Sequence, residues 1–123
     1  GLDIVVSVLP LTPETTGIMN AGFFGMLADG AFIINGGRGP QVDDDDLLAA
    51  LDSGKLGGAA LDVFAVEPLP QDHPFWTHPK VRVWPHVAAQ TNATSAAEQV
   101  AAAITAMMDG SEPANRVDWS RGY

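Results

Sequence analysis

Four short apolar runs punctuate the chain: Ile4-Val5-Val6-Ser7-Val8-Leu9, Ala31-Phe32-Ile33-Ile34, Gly58-Ala59-Ala60-Leu61-Asp62-Val63 and Val81-Arg82-Val83-Trp84. Their starts lie roughly 23 to 27 residues apart, with helix-like stretches between the first three, a rhythm that predicts βαβ units. The runs are apolar at successive positions rather than at every second one. Strands buried on both faces require this, so the pattern predicts a parallel sheet with helices on each side, an α/β fold.

Local signals place the helices. Asn20 is expected to cap a short helix carrying Phe23, Phe24, Met26 and Leu27, with Gly30 ending it. Asp43 to Asp46 precede Leu47-Leu48-Ala49-Ala50-Leu51, where carboxylates meet the positive end of the helix dipole, and Gly54 supplies the stop. The longest helix is expected from Thr94 to Asp109, opened by a Ser95-x-x-Glu98 capping box and closed by Gly110. Leu69 to Pro74 and the segment from Ser111 onward read as loops. The first run has no element before it, which would leave an unprotected sheet edge, so further chain is expected upstream.

Composition narrows the partners. The 123 residues carry 6 Lys plus Arg against 15 Asp plus Glu, a net charge of -9 that opposes binding to nucleic acid or to an anionic membrane surface. No apolar run approaches the roughly 18 residues a membrane span needs. The absence of cysteine excludes disulfides and thiol chemistry and fits a cytoplasmic location.

Three polar residues each follow an expected strand: Arg38, Glu67 and His86. In an open parallel sheet the C-terminal strand ends line the ligand crevice, so residues almost fifty positions apart can converge there. Arg presents a planar fork that fits a carboxylate bidentately. His can give or take one proton near neutrality, and a nearby carboxylate orients its ring and favours its charged form. Singly, each reads as readily as a surface cation, a loop carboxylate or an ordinary histidine. His73 and His78 have no third ligand at recognisable spacing, so they are expected at the surface and no metal site is expected. The four consecutive aspartates are expected to cap a helix rather than bind a cation, since adjacent helix positions diverge. Trp76 and Trp84 are expected in the core or walling a pocket, and Met107 and Met108 filling space at a helix end. Glycine-rich pieces occur at Gly36-Gly37-Arg38-Gly39 and from Gly54 to Gly58, but no G-x-G-x-x-G follows a strand, so the pyrophosphate cradle of a dinucleotide fold is absent.

Four local words add specificity: Leu9-Pro10-Leu11-Thr12-Pro13-Glu14-Thr15, Ile34-Asn35-Gly36-Gly37-Arg38-Gly39, Ala60-Leu61-Asp62-Val63-Phe64 with Glu67-Pro68-Leu69-Pro70, and Pro85-His86-Val87-Ala88-Ala89. In order and spacing the chain resembles the D-2-hydroxyacid dehydrogenase family. It is most similar to the glyoxylate/hydroxypyruvate reductase branch, including Pro74-Phe75-Trp76 and the final Arg121-Gly122-Tyr123. The resemblance implies the C-terminal part of a Rossmann-like, doubly wound parallel sheet. Residues 1–90 would be the second half of an NAD(P)-binding domain, and 91–123 a helix and tail returning toward a substrate-binding domain.

It further implies reversible reduction of a small 2-keto acid to a 2-hydroxy acid. Arg38 would hold the substrate carboxylate and keto oxygen, His86 would be the acid and Glu67 its partner. Leu9, Pro10, Leu11, Gly36, Gly37, Asp62, His86 and Ala88 would face the cofactor, with Asp62 bonding the carboxamide or ribose side. The cofactor would be NAD(P), with NADP favoured by the branch, and the full-length protein a homodimer. The residue that separates NAD from NADP in such folds would precede Gly1. Two departures stand out: Gly36-Gly37 replaces a bulkier pair and is expected to loosen the turn that aims Arg38, and Ala88 replaces a Gly common in the family. A nucleotide-sensing corepressor and an inactive stand-alone fragment remain alternatives.

Overall fold

The computed structural model describes residues 2–120, in two compact units that part between Ala88 and Ala89. In the first unit β1 (Ile4–Ser7), β2 (Ala31–Asn35), β3 (Leu56–Leu61) and β4 (Val81–Val83) form one sheet, parallel throughout, in the order β1-β2-β3-β4. Helix α1 (Ala21–Met26) joins β1 to β2, and α2 (Asp44–Asp52) joins β2 to β3. No α-helix joins β3 to β4; a long loop with a single 3-10 turn at Pro74–Trp76 does so. Strand β3 starts two residues before the run read from sequence, because Leu56 pairs with Ala31 at the foot of β2.

Apolar burial holds these layers together. Phe24 of α1, Leu47 and Leu51 of α2, Ile33, Leu56 and Leu61 of the sheet and Phe75 of the 3-10 turn are all buried in one cluster. Burial of each such side chain contributes roughly 1.5–3 kcal/mol. Within this unit both helices pack on the Ile33 face of the sheet. Ala31, Ile33 and Asn35 point into the core, whereas Ile4, Val6, Phe32 and Ile34 are exposed on the other face. Both α1 and α2 bury their apolar residues on the Ile33 side.

The acidic run works as a cap and a tie. Asp43 Oδ1 accepts the Asp46 amide at 3.0 Å, and Asp46 Oδ2 accepts the Ala21 amide at 2.8 Å, so α2 also satisfies the open end of α1. The two histidines expected at the surface are mostly buried clips. His73 Nε2 lies 3.5 Å from Asp44 and His78 Nε2 lies 3.2 Å from Asp52, with ring exposures of 20% and 10%. Each ring accepts a backbone amide at Nδ1, from Phe75 and Lys80 respectively, so each donates toward α2 from Nε2. Burial raises the Asp44 carboxyl above the ordinary aspartate range, against the pull of His73.

The second unit contains α3 (Ala93–Met108). Its cap is Asn92, not Ser95: Asn92 Oδ1 accepts the amides of Thr94 and Ser95, both at 3.1 Å. Ser95 is already helical, and its hydroxyl donates back to the Asn92 carbonyl at 3.2 Å. Asn is as good a cap as Ser and stands three residues earlier, so the Ser95–Glu98 box does not form. Met107 and Met108 are exposed rather than space-filling. Arg121-Gly122-Tyr123 lies outside the described residues. Among the described residues no helix is long and apolar enough to cross a membrane.

The shifted cap gives a direct test. Asn92→Ala should destabilise α3 by about 1 kcal/mol, and Ser95→Ala by clearly less. Denaturation followed by helical circular dichroism ranks the two; equal effects would restore Ser95 as the cap.

Candidate active site

The site forms where strands run out. At the end of β2, Asn35 is fully buried; its Oδ1 accepts the Gly37 amide at 3.0 Å and its Nδ2 donates to the Arg38 carbonyl at 3.1 Å. This side chain folds the backbone into a turn that delivers Arg38 to the surface. Gly37 is needed there for space: a Cβ would stand 2.7 Å from Gln41 Oε1 and 3.0 Å from the Leu9 carbonyl. The turn is therefore closely packed at Gly37. Gly39 is tighter still, since a Cβ would lie 1.8 Å from the Phe64 carbonyl carbon. The Arg38 loop thus presses directly on the backbone after β3.

Beyond β3 lies Glu67. Its Oε1 accepts the Phe64 amide at 2.9 Å and its Oε2 meets His86 Nδ1 at 2.8 Å. A carboxylate in this state only accepts, so Nδ1 donates and Nε2 is the nitrogen left free on a half-exposed ring. His86 itself has φ 57°, the left-handed region that a side-chain-bearing residue adopts at a cost of roughly 1–3 kcal/mol. Two contacts hold it there. Glu67 grips the ring, and buried Asp62 accepts the next two amides, Val87 at 2.9 Å and Ala88 at 2.8 Å.

Electrostatics joins Arg38 to the pair. The Glu67 carboxyl is held below the ordinary glutamate range by its hydrogen bond from His86 and then by the Phe64 amide, with smaller attraction from the His86 and Arg38 charges and a small opposing effect of burial. The guanidinium is within Coulomb reach of Glu67, but its hydrogen bond goes to its own loop, Nη1 donating to the Gly37 carbonyl at 2.7 Å. The Arg38 residue is exposed.

Two grooves meet at Trp84. One, of about 420 Å³, is walled by Phe64, Leu69, Trp76 and Trp84 with Glu67 and His86 at its polar side. The other, of about 370 Å³, is lined by Ile34, Asn35, Gly36, Ala60, Asp62, Val87 and Ala88 as well as Trp84. Leu9, Pro10 and Leu11 follow β1 as exposed backbone, and the carbonyls of Leu9 and Pro10 accept from Gln41 Nε2. Of the residues read from sequence, Glu67 and His86 touch, Gly36, Asp62 and Ala88 share a groove, and Arg38 lines neither groove. Asn35 and Gln41 were not read from sequence. Asn35 had a local signal, an Asn closing an apolar strand before glycines; the side-chain partners of Gln41 are mostly 31 to 34 positions away and leave none.

Residues 2–88 match the family described as D-isomer specific 2-hydroxyacid dehydrogenase, NAD binding domain. The chain belongs to this family. Glyoxylate/hydroxypyruvate reductase A of Serratia proteamaculans is 50% identical over 123 residues, all of this chain and 39% of that protein. The enzyme of the same name from Yersinia enterocolitica is 49% identical with the same coverage. Among solved structures, a D-isomer specific 2-hydroxyacid dehydrogenase from Xanthobacter autotrophicus, in complex with NADPH and MES, superposes with a TM-score of 0.94 at 48% identity, over 98% of this chain and 50% of that one. An NADPH-dependent glyoxylate/hydroxypyruvate reductase from Sinorhizobium meliloti, in complex with NADP and sulfate, gives 0.92 at 42% identity, over 98% of this chain and 40% of that one. The chain thus spans about two-fifths of the curated relatives' length. Its parallel sheet is that of the hydroxyacid dehydrogenase NAD-binding domain.

The depressed Glu67 carboxyl has a defined consequence for this dehydrogenase domain. A carboxyl whose folded value lies below its unfolded one stabilises the fold above the ordinary glutamate range, and that contribution is lost as pH falls through the depressed value. Glu67→Gln should therefore flatten the acid limb of a stability-versus-pH curve. An acid limb identical to that of the parent would disprove the linkage. A second expectation concerns Gly39: Gly39→Ala should destabilise by at least 1–3 kcal/mol, roughly the cost of forced overpacking, because backbone rather than a mobile side chain blocks the methyl. Urea denaturation measures it.

Proposed function

We propose that the whole protein is a nicotinamide-dependent 2-hydroxyacid dehydrogenase that reduces a small 2-keto acid such as glyoxylate or hydroxypyruvate. The observation that carries this reading is the 2.8 Å bond from His86 Nδ1 to Glu67, which fixes the ring and leaves Nε2 free at a groove. The second groove suits a flat apolar ring: small residues Gly36, Ala60 and Ala88 floor it beside Ile34 and Trp84. These residues fit the nicotinamide end of a dinucleotide. When bound, that cofactor supplies the hydride that adds to the keto carbon.

The chain's own residues do the rest. His86 donates a proton from Nε2 to the keto oxygen, while the Glu67 carboxylate stabilises the imidazolium and keeps Nε2 aimed. Arg38 takes the substrate carboxylate on its planar fork and faces the oxygen on which negative charge grows. Apolar walls from Phe64, Leu69 and Trp84 lower the local dielectric and strengthen both interactions. The relatives solved with NADPH and NADP favour NADP(H) as the cofactor. The family resemblance implies that the whole protein is a homodimer, with residues 91–123 leading back toward a substrate-binding domain.

Steady-state kinetics on the whole protein test this reading. With glyoxylate and saturating NADPH, His86→Ala should lower kcat by about 10²–10⁴-fold, the usual worth of general acid catalysis. Arg38→Lys should chiefly raise the KM for the keto acid, because one ammonium cannot reproduce the two-pronged contact. A His86→Ala enzyme of undiminished kcat would refute the assignment.

A further inference from the structure

Gln41 is fully buried, carries no charge, touches neither groove, and yet uses the whole hydrogen-bonding capacity of its amide. Its Nε2 donates to the carbonyls of Leu9 and Pro10, both at 3.0 Å. Its Oε1 accepts from Ser7 Oγ and from the Arg38 amide, both at 3.2 Å. Two donors and two acceptor sites are all that a primary amide offers. One end of this group is thus fastened to the segment that leaves β1, and the other to the residue proposed to bind substrate.

We infer that Gln41 is a positioning residue that couples the Leu9-Pro10 segment to the aim of Arg38. This rests on the functional reading above, in which the second holds the keto acid carboxylate, and on the family resemblance, by which the first would face the cofactor. Three observations support a coupling rather than mere filling of space. First, Arg38 hangs from a backbone fixed at both ends: its amide goes to Gln41 Oε1, and its carbonyl accepts from Asn35 Nδ2 and the Gln41 amide. Second, Gly37, between them, leaves no room for a Cβ against either Gln41 Oε1 or the Leu9 backbone, so the two segments cannot shift independently. Third, the Pro10 carbonyl also accepts from Thr15 Oγ1 at 2.8 Å, and the Gln41 carbonyl accepts from Met19 N at 2.9 Å, so both ends are anchored in turn. A buried network of this kind has one low-energy arrangement, because any displacement leaves a desolvated group unpaired.

The test uses the whole protein, with KM for glyoxylate and Kd for NADPH measured in the parent and in Arg38→Ala backgrounds. Gln41→Met keeps length and flexibility but removes all four bonds. It should raise both constants about tenfold, as expected for loss of positioning bonds. In the Arg38→Ala background it should leave the glyoxylate KM where Arg38→Ala alone puts it, and still weaken NADPH. Additive effects on KM, or an unchanged NADPH Kd, overturn the inference. Should Arg38→Ala by itself leave the glyoxylate KM unaltered, the assignment of Arg38 fails, and the NADPH arm still judges Gln41. Gln41→Glu keeps the one oxygen that accepts from Ser7 and Arg38 but loses the donors to Leu9 and Pro10. It should weaken NADPH at least about fivefold more than it raises the glyoxylate KM. If Gln41→Met does not fold, that split decides the matter, and its absence overturns the coupling.

Discussion

One carboxylate, accepting two donors at once, fixes the chemistry of this site. Glu67 takes the Phe64 amide on one oxygen and the His86 ring on the other, and so ties the loop after β3 to the tip of β4. With either bond alone, the group could rotate and the ring with it. Holding both, the carboxylate has a single orientation, and the imidazole inherits it. The same pair explains why the charged carboxyl is favoured: the interactions that depress it are those that aim the ring.

The neighbouring strand tips repeat this device with other polar side chains. Asn35, Gln41 and Asp62 are all buried at the C-terminal edge of the sheet, where the apolar core gives way to backbone that leaves the strands. Each meets main-chain groups across a turn, and no buried side-chain nitrogen or oxygen among the described residues is left without a partner. Exposed Arg38 and His86 could not be held by packing; their positions come from polar residues one layer below. Backbone strain at His86 is sustained in this way, since Asp62 claims the two amides that follow it.

Much of the architecture was legible because it follows from local rules. Four apolar runs, the Asn20 and Asp43 caps and the Gly54 stop all depend on neighbours within a few residues, and they placed the strands and the first two helices, although α1 ends at Met26 with Leu27 as its cap, ahead of the Gly30 expected to end it. Arg38, Glu67 and His86 each follow a strand, and parallel strands bring their ends to one edge. What escaped depended on contacts distant in sequence. His73 and His78 looked like surface residues until α2 supplied Asp44 and Asp52 as partners. The cap of α3 moved to Asn92 because two adequate caps competed, and sequence does not rank them.

Asp62 shows how a role inferred from kinship can be refined by geometry. Kinship pointed it at the cofactor, and it does line the groove floored by Gly36 and Ala88. Yet each of its oxygens already accepts a backbone amide at under 3 Å, from residues directly after His86. A carboxylate oxygen has a second lone pair, so contact with an amide of the cofactor is compatible with this bond but comes second to it. A ligand that bonded Asp62 would therefore pull on the same carboxylate that sets the His86 turn. In this arrangement the His86 turn and the groove floored by Gly36 and Ala88 share one buried carboxylate, and neither can be displaced without the other feeling it.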